Sequence, residues 1–136
     1  MKNFELIEHT ADMGVLAWGK TLAEAFAGAA CGLFYIITDL SKVRETESRM
    51  VTISAPDIDI LLFDWLNELI YIFDVEYMLF SRFIVNELNE DSLKAVCYGE
   101  KYDPAIHKLK LGVKSATFHM LDVDRARNRV RIILDV

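Results

Sequence analysis

Asp12 and Asp135 are the residues of this 136-residue chain whose types and positions suggest metal chemistry. Asp135 stands one residue from the terminal Val136, so its side chain lies beside the α-carboxylate. Two negative groups that close repel unless a cation or an arginine stands between them. Asp12 closes the polar turn His9-Thr10-Ala11-Asp12 between two apolar segments. If the fold carries Asp12 to the chain end, three oxygen-bearing groups converge. Such a set suits Ca²⁺ or Mg²⁺, hard ions that prefer oxygen ligands. The ordinary account competes with this one: Asp and Thr cap their own backbone in turns, and termini fray in solvent.

Three further groups carry chemistry-capable side chains. In Lys114-Ser115-Ala116-Thr117-Phe118-His119, strand alternation puts Lys114, Ala116 and Phe118 on one face and Ser115, Thr117 and His119 on the other. Lys114 suits contact with a phosphate or carboxylate, and His119 suits either proton transfer or a structural hydrogen bond. Asp64-Trp65-Leu66-Asn67-Glu68 reads as a solvated helix face opposite a core stripe. Arg125, Arg127, Arg129 and Arg131 form either an anion-binding stripe or a charged hairpin edge that resists aggregation. The loop Gly99-Glu100-Lys101-Tyr102-Asp103 has turn chemistry and no catalytic geometry. No Gly-rich phosphate loop, Gly-x-Ser-x-Gly elbow or His-Glu-x-x-His pair occurs.

These groups need elements to hold them, and the hydrophobic pattern supplies a set. Residues 4–7 and 13–18 read as strands. A helix starts at Thr21, where Thr21 and Glu24 form a capping box, and runs to about residue 38. Gly28 and Gly32 share one face of it and point to close approach by another element. Residues 43–54 read as a strand, and Asp57 and Asp59 open a second helix. Its apolar stripe is Leu61, Leu62, Trp65, Leu69, Ile72 and Phe73, ending near Asp74. Residues 80–88, 93–98, 109–123 and 129–136 read as strands, with 99–108 as a loop. The fold class is α+β, two helices on a mostly antiparallel sheet, in one domain over 1–136.

Composition narrows the function classes. Hydrophobic residues make up 53% and Gly plus Pro only eight, which excludes a disordered or fibrous chain. The longest uncharged apolar run, residues 25–37, is 13 long and too short for a membrane span. Cys31 and Cys97 lie 66 residues apart and make neither a zinc pattern nor a disulfide framework, so a cytoplasmic protein is expected. A net charge of −6 argues against general nucleic-acid binding.

Taken together, these motifs resemble the archease family. They are His9-Thr10-Ala11-Asp12, Gly19-x-Thr21-x-x-Glu24-Ala25, Asp64-Trp65-Leu66-Asn67-Glu68, Gly99-Glu100-x-Tyr102-Asp103-x-x-x-His107, Lys114-x-x-Thr117-x-His119 and Asp135-Val136. All six occur in the family's order, nearly end to end. Phe118 departs from a position more often Tyr. The resemblance implies duplicated strand-helix-strand-strand modules, one inserted in the other. It implies a non-enzyme that assists an RtcB-type, GTP-dependent tRNA-splicing RNA ligase. That ligase joins 2′,3′-cyclic or 3′-phosphate ends to 5′-hydroxyl ends, and archeases promote guanylylation of its active-site histidine and multiple turnover. The implied metal ligands are Asp12, Asp135 and Val136, with Ca²⁺ favoured over Mg²⁺ or Mn²⁺. The resemblance assigns activation to Lys114, and supporting roles to His9, Glu68 and Thr117. The competing functions are a metal-dependent hydrolase using Asp12 and Asp135, a metal-stabilised interaction module, and RNA binding through the arginines.

Overall fold

The computed structural model describes residues 3–8 and 11–136. In chain order it runs β1 (Phe4–Glu8), β2 (Asp12–Trp18), α1 (Leu22–Ile37), a 3-10 turn at Leu40–Lys42, β3 (Glu47–Ser54), α2 (Ile58–Glu76), β4 (Met78–Leu88), β5 (Ser92–Lys101), β6 (Ser115–Asp124) and β7 (Arg129–Asp135). Four strands form one sheet in the order β1-β2-β7-β6, and three form another in the order β3-β5-β4. Every strand pairing is antiparallel.

The two sheets repeat one topology. In β3-α2-β4-β5, the strand before the helix pairs with the last strand of the unit. The same holds for β2-α1-β6-β7, with the first unit inserted between α1 and β6. The duplicated and inserted modules implied by the resemblance are therefore present.

Both helices touch both sheets and form the layer between them. Thr21 caps α1 by accepting from the Glu24 N–H, and Glu24 Oε1 accepts from the Lys20 N–H in return. A Cβ on Gly28 would sit 2.8 Å from the Asn3 carbonyl oxygen, and one on Gly32 2.8 Å from Val15. Those glycines let α1 lie close on β1 and β2. Asp57 caps α2 through the Ile60 N–H at 2.9 Å. Trp65 is fully buried, and its indole N–H donates to the Phe26 carbonyl at 3.0 Å, locking α2 to α1. Phe34, Phe80, Phe83 and Trp65 complete an edge-to-face aromatic cluster.

Four boundaries differ from the sequence reading. Helix α2 runs on to Glu76, where Tyr77 turns left-handed at φ 57°. Strand β3 starts at Glu47, because the Arg44 N–H is taken by the Glu100 carboxylate instead of a ladder partner. Residues 109–114 lie before β6, with only Leu109 bridged, to Thr38. Gly99 to Lys101 belong to β5, not to a loop. Their polarity suggested a loop, but Glu100 is buried with its charge satisfied.

Gly99 also fixes the β5–β4 approach, since a Cβ there would sit 1.8 Å from the Leu79 carbonyl oxygen. Backbone, not a flexible side chain, must move to admit it. Gly99→Ala is expected to lower stability by about 2–3 kcal/mol, read from the urea midpoint. An unchanged midpoint would show that β4 and β5 separate at little cost.

Candidate functional site

Antiparallel pairing of β2 with β7 sets Asp12 directly opposite Asp135. Side chains of such a pair project from the same face of the sheet. Ser115 of β6 lies on the other side of Asp135, so Asp12, Asp135 and Ser115 form one row across three strands. Asp135 is exposed and Asp12 half-buried. Asp12 Oδ1 is fully buried and has no hydrogen-bond partner among the described residues. A buried carboxylate oxygen without a partner is costly, and a cation or a donor relieves it. Val136 follows Asp135 and packs partly on the core, which holds the end of β7 in place.

Hard oxygen donors are therefore what this sheet end offers. Among the described residues, no three His, Cys, Asp or Glu side chains gather to hold an ion. Two carboxylates plus main-chain or terminal oxygen at Val136 make up the available set, which fits a hard divalent ion.

Of the other expected site residues, Lys114 and Thr117 fall at the same end. The Lys114 N–H donates to the Asp135 carbonyl at 2.8 Å, so the exposed lysine is anchored beside the acidic pair. The Thr117 hydroxyl donates to the Ile133 carbonyl at 2.9 Å, two pairs inward from Ser115–Asp135. Glu68 is half-buried on α2 and lines an open cleft with Asp64, Asn67 and Thr52. His9 lies outside the described residues.

Two side chains had more to do than the sequence revealed. Asn67, read as part of a solvated helix face, accepts from the Ala116 N–H at 2.8 Å through Oδ1. Strand alternation in β6 stops after Thr117, where four residues, 118–121, oppose only Ile132. Met120 there takes φ 55°, and its carbonyl accepts from Arg131 Nε. Phe118 stacks on Phe63 of α2 at 3.9 Å, and His119 is exposed on the bulge instead of lying on a regular strand face.

Three of the four arginines of the stripe are engaged within the protein. Arg125 pairs with Glu90, Arg127 with Asp124, and Arg131 binds the bulge carbonyl. The Glu100 motif is a buried network. His107 Nδ1 accepts from the Asp103 N–H at 2.9 Å, which leaves Nε2–H to donate to Glu100 Oε2 at 2.8 Å. Glu100 Oε2 also accepts from the Arg44 N–H, and Oε1 from Arg44 Nε. The Arg44 backbone N–H, followed by His107 and the Arg44 side chain, holds the Glu100 carboxyl below its ordinary value against burial. This network ties the chain leading to β6 to β5. Cys97 is buried, which pushes its thiol up to about 12 and leaves it inert.

Comparison with known proteins is consistent along the whole chain. A sequence model of the Archease protein family matches residues 4–136. Protein archease of Methanosarcina acetivorans is 38% identical, covering 99% of this chain and 97% of that protein. Protein archease of Sulfurisphaera tokodaii is 41% identical, covering 94% of this chain and 93% of that protein. A solution structure from Methanobacterium thermoautotrophicum superimposes with a TM-score of 0.82 at 38% identity, covering 100% of both chains. A crystal structure of a Thermotoga maritima archease, called a possible chaperone, gives a TM-score of 0.66 at 18% identity. It covers 97% of this chain and 96% of its own and speaks for the fold alone.

Two outcomes test this geometry. Like charges directly opposite in a ladder are destabilising, so Asp135→Asn is expected to raise stability in chelator by a few tenths to about 1 kcal/mol. A lower melting temperature would mean that the two carboxylates do not repel. For Glu100, the folded pKa lies below the unfolded one, so the unfolded chain binds the proton first. Its contribution is complete above about pH 4.3 and is lost as pH falls through the folded value. Glu100→Gln is expected to be less stable at pH 7 and to lose stability less steeply in acid, followed by circular dichroism.

Proposed function

The chain belongs to the archease family, and from that premise we propose that it is a protein activator of the GTP-dependent tRNA-splicing RNA ligase. In this reading it promotes guanylylation of the ligase histidine and repeated turnover in joining 2′,3′-cyclic or 3′-phosphate ends to 5′-hydroxyl ends. It joins no RNA itself. The observation that supports the reading best is the acidic row: Asp12 opposite Asp135, with one Asp12 oxygen buried and unpartnered. Lys114 is tied by its backbone to the same strand end.

Asp12, Asp135 and an oxygen of Val136 would hold a divalent cation, Ca²⁺ first and Mg²⁺ or Mn²⁺ as substitutes. Bound there, the cation supplies positive charge able to neutralise phosphate oxygens. The protein's own residues do the rest by position. The β2–β7 ladder holds both carboxylates at the end of the sheet, where a partner's pocket can reach the exposed Asp135. Lys114, held by its backbone at the same strand end, carries an ammonium suited to a phosphate oxygen of GTP or a carboxylate of the ligase. Net acidity favours encounter with the basic cleft of an RNA-binding enzyme.

The test is ligation with the cognate ligase at limiting concentration, excess RNA ends and labelled GTP to report the covalent intermediate. Wild-type protein is expected to raise guanylylation and turnover together. Asp12→Ala and Lys114→Ala are expected to remove most of the effect while remaining folded. Full activation by Asp12→Ala with metal binding abolished would overturn the role of the acidic row. No effect of wild type on a competent ligase would overturn the activator reading and favour a metal-stabilised interaction module.

A further inference from the structure

The acidic row depends on a short piece of β6 that its own sheet holds weakly. Strand β6 is the edge of the four-stranded sheet. Beside the row it pairs with β7 over only three positions, Ser115–Asp135, Ala116–Leu134 and Thr117–Ile133, before the four-residue bulge interrupts the ladder. Residues 109–114, just before it, form no strand apart from the Leu109 bridge. A three-residue ladder between a loop and a bulge is a poor fixture for Lys114 and for the Asp135 main chain that pairs with it.

The missing constraint comes from α2. Ala116 is buried, and its N–H points away from β7, where no further strand exists to accept it. Asn67 Oδ1 takes that bond at 2.8 Å. Asn67 sits on a rigid support: Trp65, Leu66, Leu69 and Ile70 around it are buried, and Trp65 is bonded to α1. The bond therefore ties the register of a locked core helix to the strand end that carries the acidic row.

We propose that Asn67 is a positioning residue for the Lys114–Asp135 segment, acting through Ala116 and touching neither the cation nor the ligase's substrates. This rests on the activator reading given above. An apolar side chain at 67, such as leucine, leaves the Ala116 N–H buried without a partner, and the strand end moves to find water. Asn67→Asp keeps an oxygen acceptor at the same distance along the side chain and preserves the bond.

The experiment compares wild type, Asn67→Leu and Asn67→Asp in two ways. In metal-free protein, amide exchange at Ala116 is expected to speed about tenfold in Asn67→Leu, with α1 amides unchanged. By calorimetry with Ca²⁺ alone, Asn67→Leu is expected to bind about tenfold more weakly, as when a partner that orients metal ligands is lost. Asn67→Asp restores both. Wild-type Ca²⁺ affinity in Asn67→Leu overturns the inference, as does loosening of α1 together with Ala116, which would mark a general packing defect. If the wild type itself binds no Ca²⁺ and leaves the ligase unaffected, the activator reading fails first and takes this inference with it.

Discussion

The ladder between β2 and β7 is the constraint on which the rest of the structure hangs. It joins residues 123 positions apart, Asp12 and Asp135, and closes the outer module around the inserted one. Forming a contact over that separation requires the intervening chain to fold first or at the same time, because loop closure costs entropy. The inserted β3-α2-β4-β5 unit shortens the effective loop by collapsing into its own sheet and helix. What the closed ladder then presents is unfavourable by itself: two like charges face each other, and one oxygen is cut off from water. A fold keeps such a pair only where surrounding packing over-determines it.

That packing is supplied by the helix layer. Close approach of α1 to β1 and β2 rests on Gly28 and Gly32, and α2 is fixed to α1 by the Trp65 indole bond and the aromatic cluster around Phe83. From α2 the constraint passes outward through Asn67 to β6 and from β6 to the end of β7. Separately, the Glu100–His107–Arg44 network secures the segment leading to β6, with no bond to the acidic row among the described residues. Two polar systems that the sequence presented alike, as short motifs rich in Asp, Glu and His, thus divide cleanly. One is internally satisfied and structural. The other keeps one buried Asp12 oxygen without a partner among the described residues.

Much of this was legible in the residues. Thr21 with Glu24 and Asp57 with the following turn announced the helix starts, and the stripe through Leu61, Trp65 and Leu69 announced the buried face. Gly28 and Gly32 announced the close approach that the structure has. The convergence of Asp12 with the chain end was readable only as a condition, because nothing local says which strands become neighbours. Asn67 and Glu100 were misread for one reason. Polarity along a helix or after a strand looks like solvation, and a single buried partner across the fold reverses its meaning. The bulge at 118–121 left no local mark either, since Phe118, His119, Met120 and Leu121 all suit a regular strand.

The sequence by itself determined the element types, the capped helix ends, the core faces and an inventory of hard oxygen donors. Those depend on residues within a few positions of one another, so spacing encodes them directly. Only the tertiary structure decided the register that sets Asp12 against Asp135, the bond from Asn67 to Ala116, and the burial of Glu100 against His107 and Arg44. Those are pairings between distant segments. They are selected by the packing of two sheets on a shared helix layer, where sliding a strand by one residue would turn its buried side chains out to solvent.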